Sequence, residues 1–126
     1  MRLFSIKPVY AHCDLPCGVY DPAQARIEAL SLKAIATKYE GLDEHNKLRA
    51  VILNEERAEL VKHHLWVLWT DYFKPEHLEK HPGLHDLFWR ATKQAGECKH
   101  HMDVAEAGKL LELIDEIAEI FAATKQ

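Results

Sequence analysis

A chain of 126 residues, 48% apolar and 29% charged, has the balance of one ordinary globular domain, not of a disordered segment. Its formal net charge of −4, with no clustered Lys/Arg block, excludes a nucleic-acid footprint; an anionic substrate would have to be drawn in by locally placed Lys or Arg. No apolar run is long enough to span a bilayer, and three cysteines, Cys13, Cys17 and Cys98, are too few and odd in number for a disulfide framework, which suits a reducing, cytoplasmic setting with working thiols.

Residues 1–11 carry Arg2 and Lys7, but Pro8 ends any apolar run before it reaches the length of a secretory signal. They read as a short leader without export information. Residues 12–20 then crowd two cysteines, a proline, a glycine and a tyrosine into a segment with no helical pattern. Asp21-Pro22-Ala23-Gln24 predicts a helix start: Asp21 can cap, Pro22 suits the first helical position, and Gln24 can complete a capping box. Ala23, Ile27, Leu30 and Ala34 recur at helical spacing up to Gly41. A second helix opens near Asp43, with Val51, Ala58, Val61, Leu65, Leu68 and Tyr72 as its seam, and runs to Phe73 before Pro75, roughly 45 Å at 1.5 Å per residue.

Pro75 to His81 predicts a helical turn. Pro82 restarts the chain, and Leu84, Leu87, Phe88, Ala91 and Ala95 form a third stripe ending at Gly96. Asp103 opens the last helix, striped by Ala107, Leu110, Ile114, Ile117 and Phe121, with a Glu- and Lys-rich opposite face. Strand-type alternation is missing. The expectation is an all-α fold, an antiparallel up-down four-helix bundle over residues 21–126, with residues 12–20 as an N-terminal metal-binding hook.

The hook has a coordination logic. If the chain is cut between Ala11 and His12, the new amine and the Cys13 amide nitrogen are two carbons apart and close a five-membered chelate ring on one ion. The Cys13 amide and thiolate close a second such ring, and the His12 imidazole reaches the same ion through a six-membered one. Cys17 returns another thiolate if the chain turns back tightly, which Pro16 and Gly18 favour. Two nitrogens and two thiolates in a plane suit Ni(II) or Cu(II) better than tetrahedral zinc. Thiolate and deprotonated amide also stabilise a higher oxidation state. Before cleavage the His12 nitrogen is itself an amide that would have to lose a proton to bind, so the leader should hold the site inactive.

His12-Cys13-Asp14-Leu15-Pro16-Cys17-Gly18-Val19-Tyr20-Asp21-Pro22 resembles the hook of nickel superoxide dismutases along its whole length. Arg57-Ala58-Glu59-Leu60, His63-His64 and Leu68-Trp69-Thr70-Asp71-Tyr72-Phe73-Lys74-Pro75 are similar to a second part of that family. Residues from Gly41 to Lys47 and beyond Trp89 match loosely, which touches the expected subunit contacts more than the chemistry. The resemblance implies disproportionation of superoxide to O2 and H2O2 by Ni(II)/Ni(III) cycling, as antioxidant defence. It implies one nickel ion per subunit, held by the His12 amine and imidazole, the Cys13 amide and thiolate and the Cys17 thiolate. Tyr20 would guard the open face of the metal with Tyr72 beside it. Glu28 and Arg57 would orient the imidazole, and Asp14 and Lys74 would tie the hook to the bundle across a subunit boundary. The implied assembly is a homohexamer, and the implied processing partner is a leader-cutting protease.

Other signals have plainer readings. Cys98-Lys99-His100-His101-Met102 lacks supporting ligands and reads as a surface loop. His77, His81 and His85 are four apart, yet Pro82 breaks the helix that would align them. His63 and His64 point to different faces, and Trp66 and Trp69 read as core or interface aromatics. A metal carrier would need no guarded open face. A thiol–disulfide oxidoreductase favours two residues between its cysteines at a helix N-terminus, whereas Cys13 and Cys17 enclose three and precede the helix.

Overall fold

Capping residues set where the helices begin. The computed structural model describes residues 19–125, and its first helix, α1, spans Ala23–Lys38. Asp21 Oδ1 accepts the Ala23 N–H at 2.8 Å, relieving one of the donors a helix start leaves unpaired. Gln24 contributes only its backbone N–H, to the Asp21 carbonyl at 3.4 Å, so the expected capping box does not form. After a 3₁₀ turn at Tyr39–Gly41, α2 spans Glu44–Val67, and Asp43 Oδ1 accepts the Asn46 N–H at 2.8 Å. The same rod continues as a π-helical turn, Leu68–Tyr72, with the Phe73 N–H donating to the Leu68 carbonyl at 3.3 Å.

Pro75–Lys80 forms the short α3 where a helical turn is expected, and α4 follows at Leu84–His100. The last helix, α5, spans Val104–Ala123 and is capped by Asp103, whose Oδ1 accepts the Ala105 N–H at 2.7 Å. Among the described residues there is no strand. Helix α1 packs on α2 and α5, and α4 packs on the same two. Short connections make each adjacent pair antiparallel, which gives the predicted up-down four-helix bundle. The start of α1, the end of α2, the start of α4 and the end of α5 therefore share one end of the bundle.

The stripes of α4 and α5 face inward as their spacing predicts: Leu84, Leu87, Phe88, Ala91 and Ala95 are buried against Ala107, Leu110, Ile114, Ile117 and Phe121. Each large side chain among them contributes about 1.5–3 kcal/mol by leaving water. On α1 the outcome reverses. Its buried residues are Ala25, Ala29 and Leu32, while Ile27 is 61% and Leu30 41% exposed, so the expected stripe faces outward. Apolar residues lie on both sides of α1, and small alanines let it approach its neighbours closely; periodicity alone cannot choose between two apolar faces. On α2, Val51 is likewise turned out, and the inward row runs Ala50, Asn54, Ala58, Val61, Leu65 and Leu68.

A second correction concerns Gly96. It does not end α4, which continues to His100, so Cys98 is a buried helical residue and not part of a surface loop. A helical glycine costs about 1 kcal/mol, and local anchors offset it here. Asn54 Nδ2 donates to the Cys98 carbonyl at 2.8 Å, satisfying an acceptor that the end of α4 leaves without a helical partner. Lys99 pairs with Glu59 of α2 alongside it. Among the described residues Asn54 is the one buried polar side chain, and this bond explains its place there. Trp66 and Trp69 are partly exposed, outside the core, and the Trp69 indole N–H donates to His85 Nδ1 at 2.8 Å.

Candidate metal centre

His12, Cys13, Asp14, Pro16 and Cys17 lie outside the described residues. Of the expected site residues, Tyr20, Glu28, Arg57, Tyr72 and Lys74 lie within the described part. Tyr20, immediately before α1, packs on Tyr72, the last residue of the π-helical turn, with ring centroids 6.4 Å apart and planes tilted by 53°. The two expected site tyrosines are thus brought together at the shared end of the bundle. Cys17 is three residues before Tyr20, so their Cα atoms can be no more than about 11 Å apart. A metal held by Cys17 must sit near this pair.

Tyr72 is held on several sides. His77 of α3 lies parallel to its ring at 5.9 Å and 12°, Phe121 of α5 approaches at 4.6 Å, and Lys125 Nζ stands 5.0 Å over its face. The phenol oxygen lies 2.6 Å from Thr124 Oγ1. The His77 ring is anchored in turn, because its Nδ1 accepts the Lys74 backbone N–H at 3.0 Å. Burial holds His77 below the ordinary histidine range, against the smaller opposing pull of Glu76. Neutral His77 with an accepting Nδ1 carries its proton on Nε2. Lys74 thereby caps the start of α3, two residues after Tyr72.

The Glu28–Arg57 pair forms at a different level. Arg57 donates to Glu28 Oε2 at 3.0 Å, with the Glu28 side chain 14% and the Arg57 side chain 40% exposed. His64 lies within the influence of this carboxylate: burial and then His63 lower its pKa, and Glu28 pulls the other way. Arg57 is fifteen residues before Tyr72, about 22 Å along the helix. The expected site residues therefore occupy two places on the α1–α2 side.

Sequence reasoning missed Thr124, His77 and Asn54 as partners. No periodic signal marks Thr124, and His77 is visible from sequence only as one of several histidines. Cys98 carries no metal chemistry: it is enclosed in the core, and burial pushes its thiol up to about 12. Among the described residues no group of three or more His, Cys, Asp or Glu could hold a metal ion. The donor set expected of the hook, an amine, an amide, an imidazole and two thiolates, would suit nickel by its donor chemistry.

A helical bundle with paired tyrosines at one end, preceded by a thiolate- and nitrogen-rich segment, is the build of a redox metalloprotein. Comparison with known proteins narrows this. The family model described as nickel-containing superoxide dismutase matches residues 7–125. The superoxide dismutase [Ni] of Streptomyces seoulensis is 54% identical over 127 aligned positions, covering 99% of this chain and 97% of that protein. Its counterpart from Streptomyces coelicolor is similar to the same degree. The solved structure of a native nickel superoxide dismutase superposes with a TM-score of 0.86 at 54% identity, covering 90% of this chain and 98% of that one. The chain belongs to the nickel-containing superoxide dismutase family.

Proposed function

We propose that this chain disproportionates superoxide at a nickel ion bound by the His12 amine and imidazole, the Cys13 amide nitrogen and thiolate and the Cys17 thiolate. The net reaction takes two superoxide ions and two protons to one O2 and one H2O2. Nickel, when bound, supplies one-electron redox chemistry between its +2 and +3 states. The chain's residues set the conditions for it. The thiolates and amide of Cys13 and Cys17 donate strongly enough to bring the higher state within reach. Pro16 restricts the turn that returns Cys17. Tyr20 and Tyr72 would narrow the approach to a metal held by the hook, admitting a small anion and water.

Glu28 and Arg57 orient the His12 imidazole, a task that a metal-binding histidine's free ring nitrogen calls for. Asp14 and Lys74 fasten the hook to the bundle. Large apolar side chains left exposed on α1 and α2, Ile27, Leu48, Val51 and Ile52, support a homo-oligomer, which we take as a hexamer. No helix among the described residues is long and apolar enough to cross a membrane, and we place the enzyme in the cytoplasm on its cysteine usage.

The leader, residues 1–11, is the activating element in this reading. Its removal by a protease converts the His12 nitrogen from an amide into an amine that can bind. The observation that carries the reading is the contact between Tyr20 and Tyr72 within chain reach of Cys17. The test uses the full chain with a blocked Ala11–His12 bond beside a chain beginning at His12, each loaded with nickel. Dismutation is expected only from the second, in proportion to bound nickel. Equal rates from both would overturn the role of the leader.

A further inference from the structure

The hydrogen-bond order at Tyr72 can be derived from its partner. Thr124 Oγ1 lies 2.6 Å from the Phe121 carbonyl oxygen as well as 2.6 Å from the Tyr72 phenol oxygen. A carbonyl oxygen can only accept, and a threonine hydroxyl has a single proton. At 2.6 Å two oxygens without a proton between them would repel, so that proton must point at Phe121. Thr124 is then an acceptor toward Tyr72, and the Tyr72 hydroxyl must be the donor. Its oxygen is left with lone pairs alone for any other group that approaches.

The arrangement is fixed by packing. His77, Phe73 and Phe121 enclose the Tyr72 ring, and Lys125 lies over its face. Thr124 is held by its own N–H, which donates to the Ile120 and Phe121 carbonyls at 3.1 Å as the end of α5 tightens. Neither residue can turn without breaking the other's contacts.

We propose that Thr124 is a positioning residue for superoxide dismutation: it commits the Tyr72 proton to the end of α5, so that Tyr72 meets the metal side only as an acceptor. This rests on the placement of Tyr72 beside the nickel hook. Tyr72 is consequently not a proton source for the reduced oxygen. On that side it can take a hydrogen bond only from an approaching donor such as water, which it would orient. The protons consumed in forming H2O2 come from solvent through that oriented donor, and the Tyr72 proton stays where it is.

Two readouts test this separately. The first is the tyrosine Raman doublet, whose intensity ratio distinguishes a phenol that donates from one that accepts. Metal-free full chain is measured with and without Tyr72→Phe, so that the difference isolates Tyr72. A ratio that includes donation is expected in the native chain and in Thr124→Ser, and a shift toward the acceptor-only ratio in Thr124→Val. An acceptor-only signature in the native chain would overturn the proposal. The second readout is the dismutation rate against pH for nickel-loaded chains beginning at His12. Thr124→Val should lower the rate about 2- to 10-fold, the range of one hydrogen bond, and alter the pH profile, while Thr124→Ser restores both. If Tyr72→Phe changes the profile and Thr124→Val does not, Thr124 has no positioning role. If neither changes it, the placement of Tyr72 at the site fails as well.

Discussion

Replacing Arg57 and Glu28 one at a time should give unequal losses, because the two partners are unequally buried. The Glu28 side chain retains 14% of its exposure and Arg57 40%, with a 3.0 Å bond between them. Glu28→Gln leaves a guanidinium that water still reaches, and Gln can accept the same hydrogen bond. Its effect on stability should be about 0–1 kcal/mol, the range of an exposed pair. Arg57→Met instead strands a carboxylate largely withdrawn from water. A fully buried pair broken this way costs about 3–5 kcal/mol; the remaining hydration of Glu28 and its neighbour His64 bring the expectation to about 2–3 kcal/mol. The assay is urea unfolding of the metal-free chain at pH 7 and at one fixed protomer concentration, since assembly would shift the midpoint. A loss from Glu28→Gln that equals or exceeds that from Arg57→Met would refute the asymmetry.

Three further outcomes follow from groups the bundle buries. Asn54→Leu should cost about 1–3 kcal/mol in the same unfolding assay, because it strands the Cys98 carbonyl that Asn54 satisfies at 2.8 Å. Cys98, with its thiol pushed up to about 12 by burial, should stay unmodified by iodoacetamide at pH 8 until the chain is unfolded, as mass mapping of its peptide would show. His77 is held below the ordinary value of 6.5, so below that pH the unfolded chain binds a proton that the folded chain resists. Stability should therefore be full above 6.5 and fall as the pH drops from there toward the folded pKa; His77→Gln should flatten that part of the curve, measured as melting temperature between pH 7.5 and 5.

The sequence revealed most where the physics is local. Asp43 and Asp103 are readable as caps because a side chain two or three residues from its N–H partner needs no tertiary context. The hook rests on the same kind of local argument, because its proposed chelate rings would be closed by covalent neighbours, though His12 to Cys17 lie outside the described residues. The inward faces of α4 and α5 are legible because each has one apolar stripe opposite a charged face. Helix α1 has apolar residues on two sides, so the choice of Ala25, Ala29 and Leu32 over Ile27 and Leu30 is made by neighbouring helices. The continuation of α4 past Gly96 depends on Asn54 and Glu59, more than thirty residues away. The π-helical turn at Leu68–Tyr72 carries an extra residue per turn, which breaks the register that a regular helix would extrapolate to Tyr72. Thr124 becomes visible only once that turn brings Tyr72 to the end of α5.

The division between hook and bundle has a consequence for stability. In a zinc finger the ligands converge only when the chain folds, so metal binding is folding free energy. Here the proposed donors all lie between His12 and Cys17, while the core runs through α1, α2, α4 and α5 without them. An unfolded chain with a free His12 amine can close nearly the same chelate. A ligand that binds folded and unfolded states alike shifts their balance by nothing, however tightly it binds. Nickel should then add only what the hook gains by docking on Tyr20, Tyr72 and Lys74, about 1 kcal/mol or less. Calorimetry on the chain beginning at His12, with nickel from stoichiometric to hundredfold excess, should show nearly constant melting of the bundle. A midpoint that climbs steadily with nickel would mean that the ligands converge only in the folded state, and that the local chelate is the wrong description of the site.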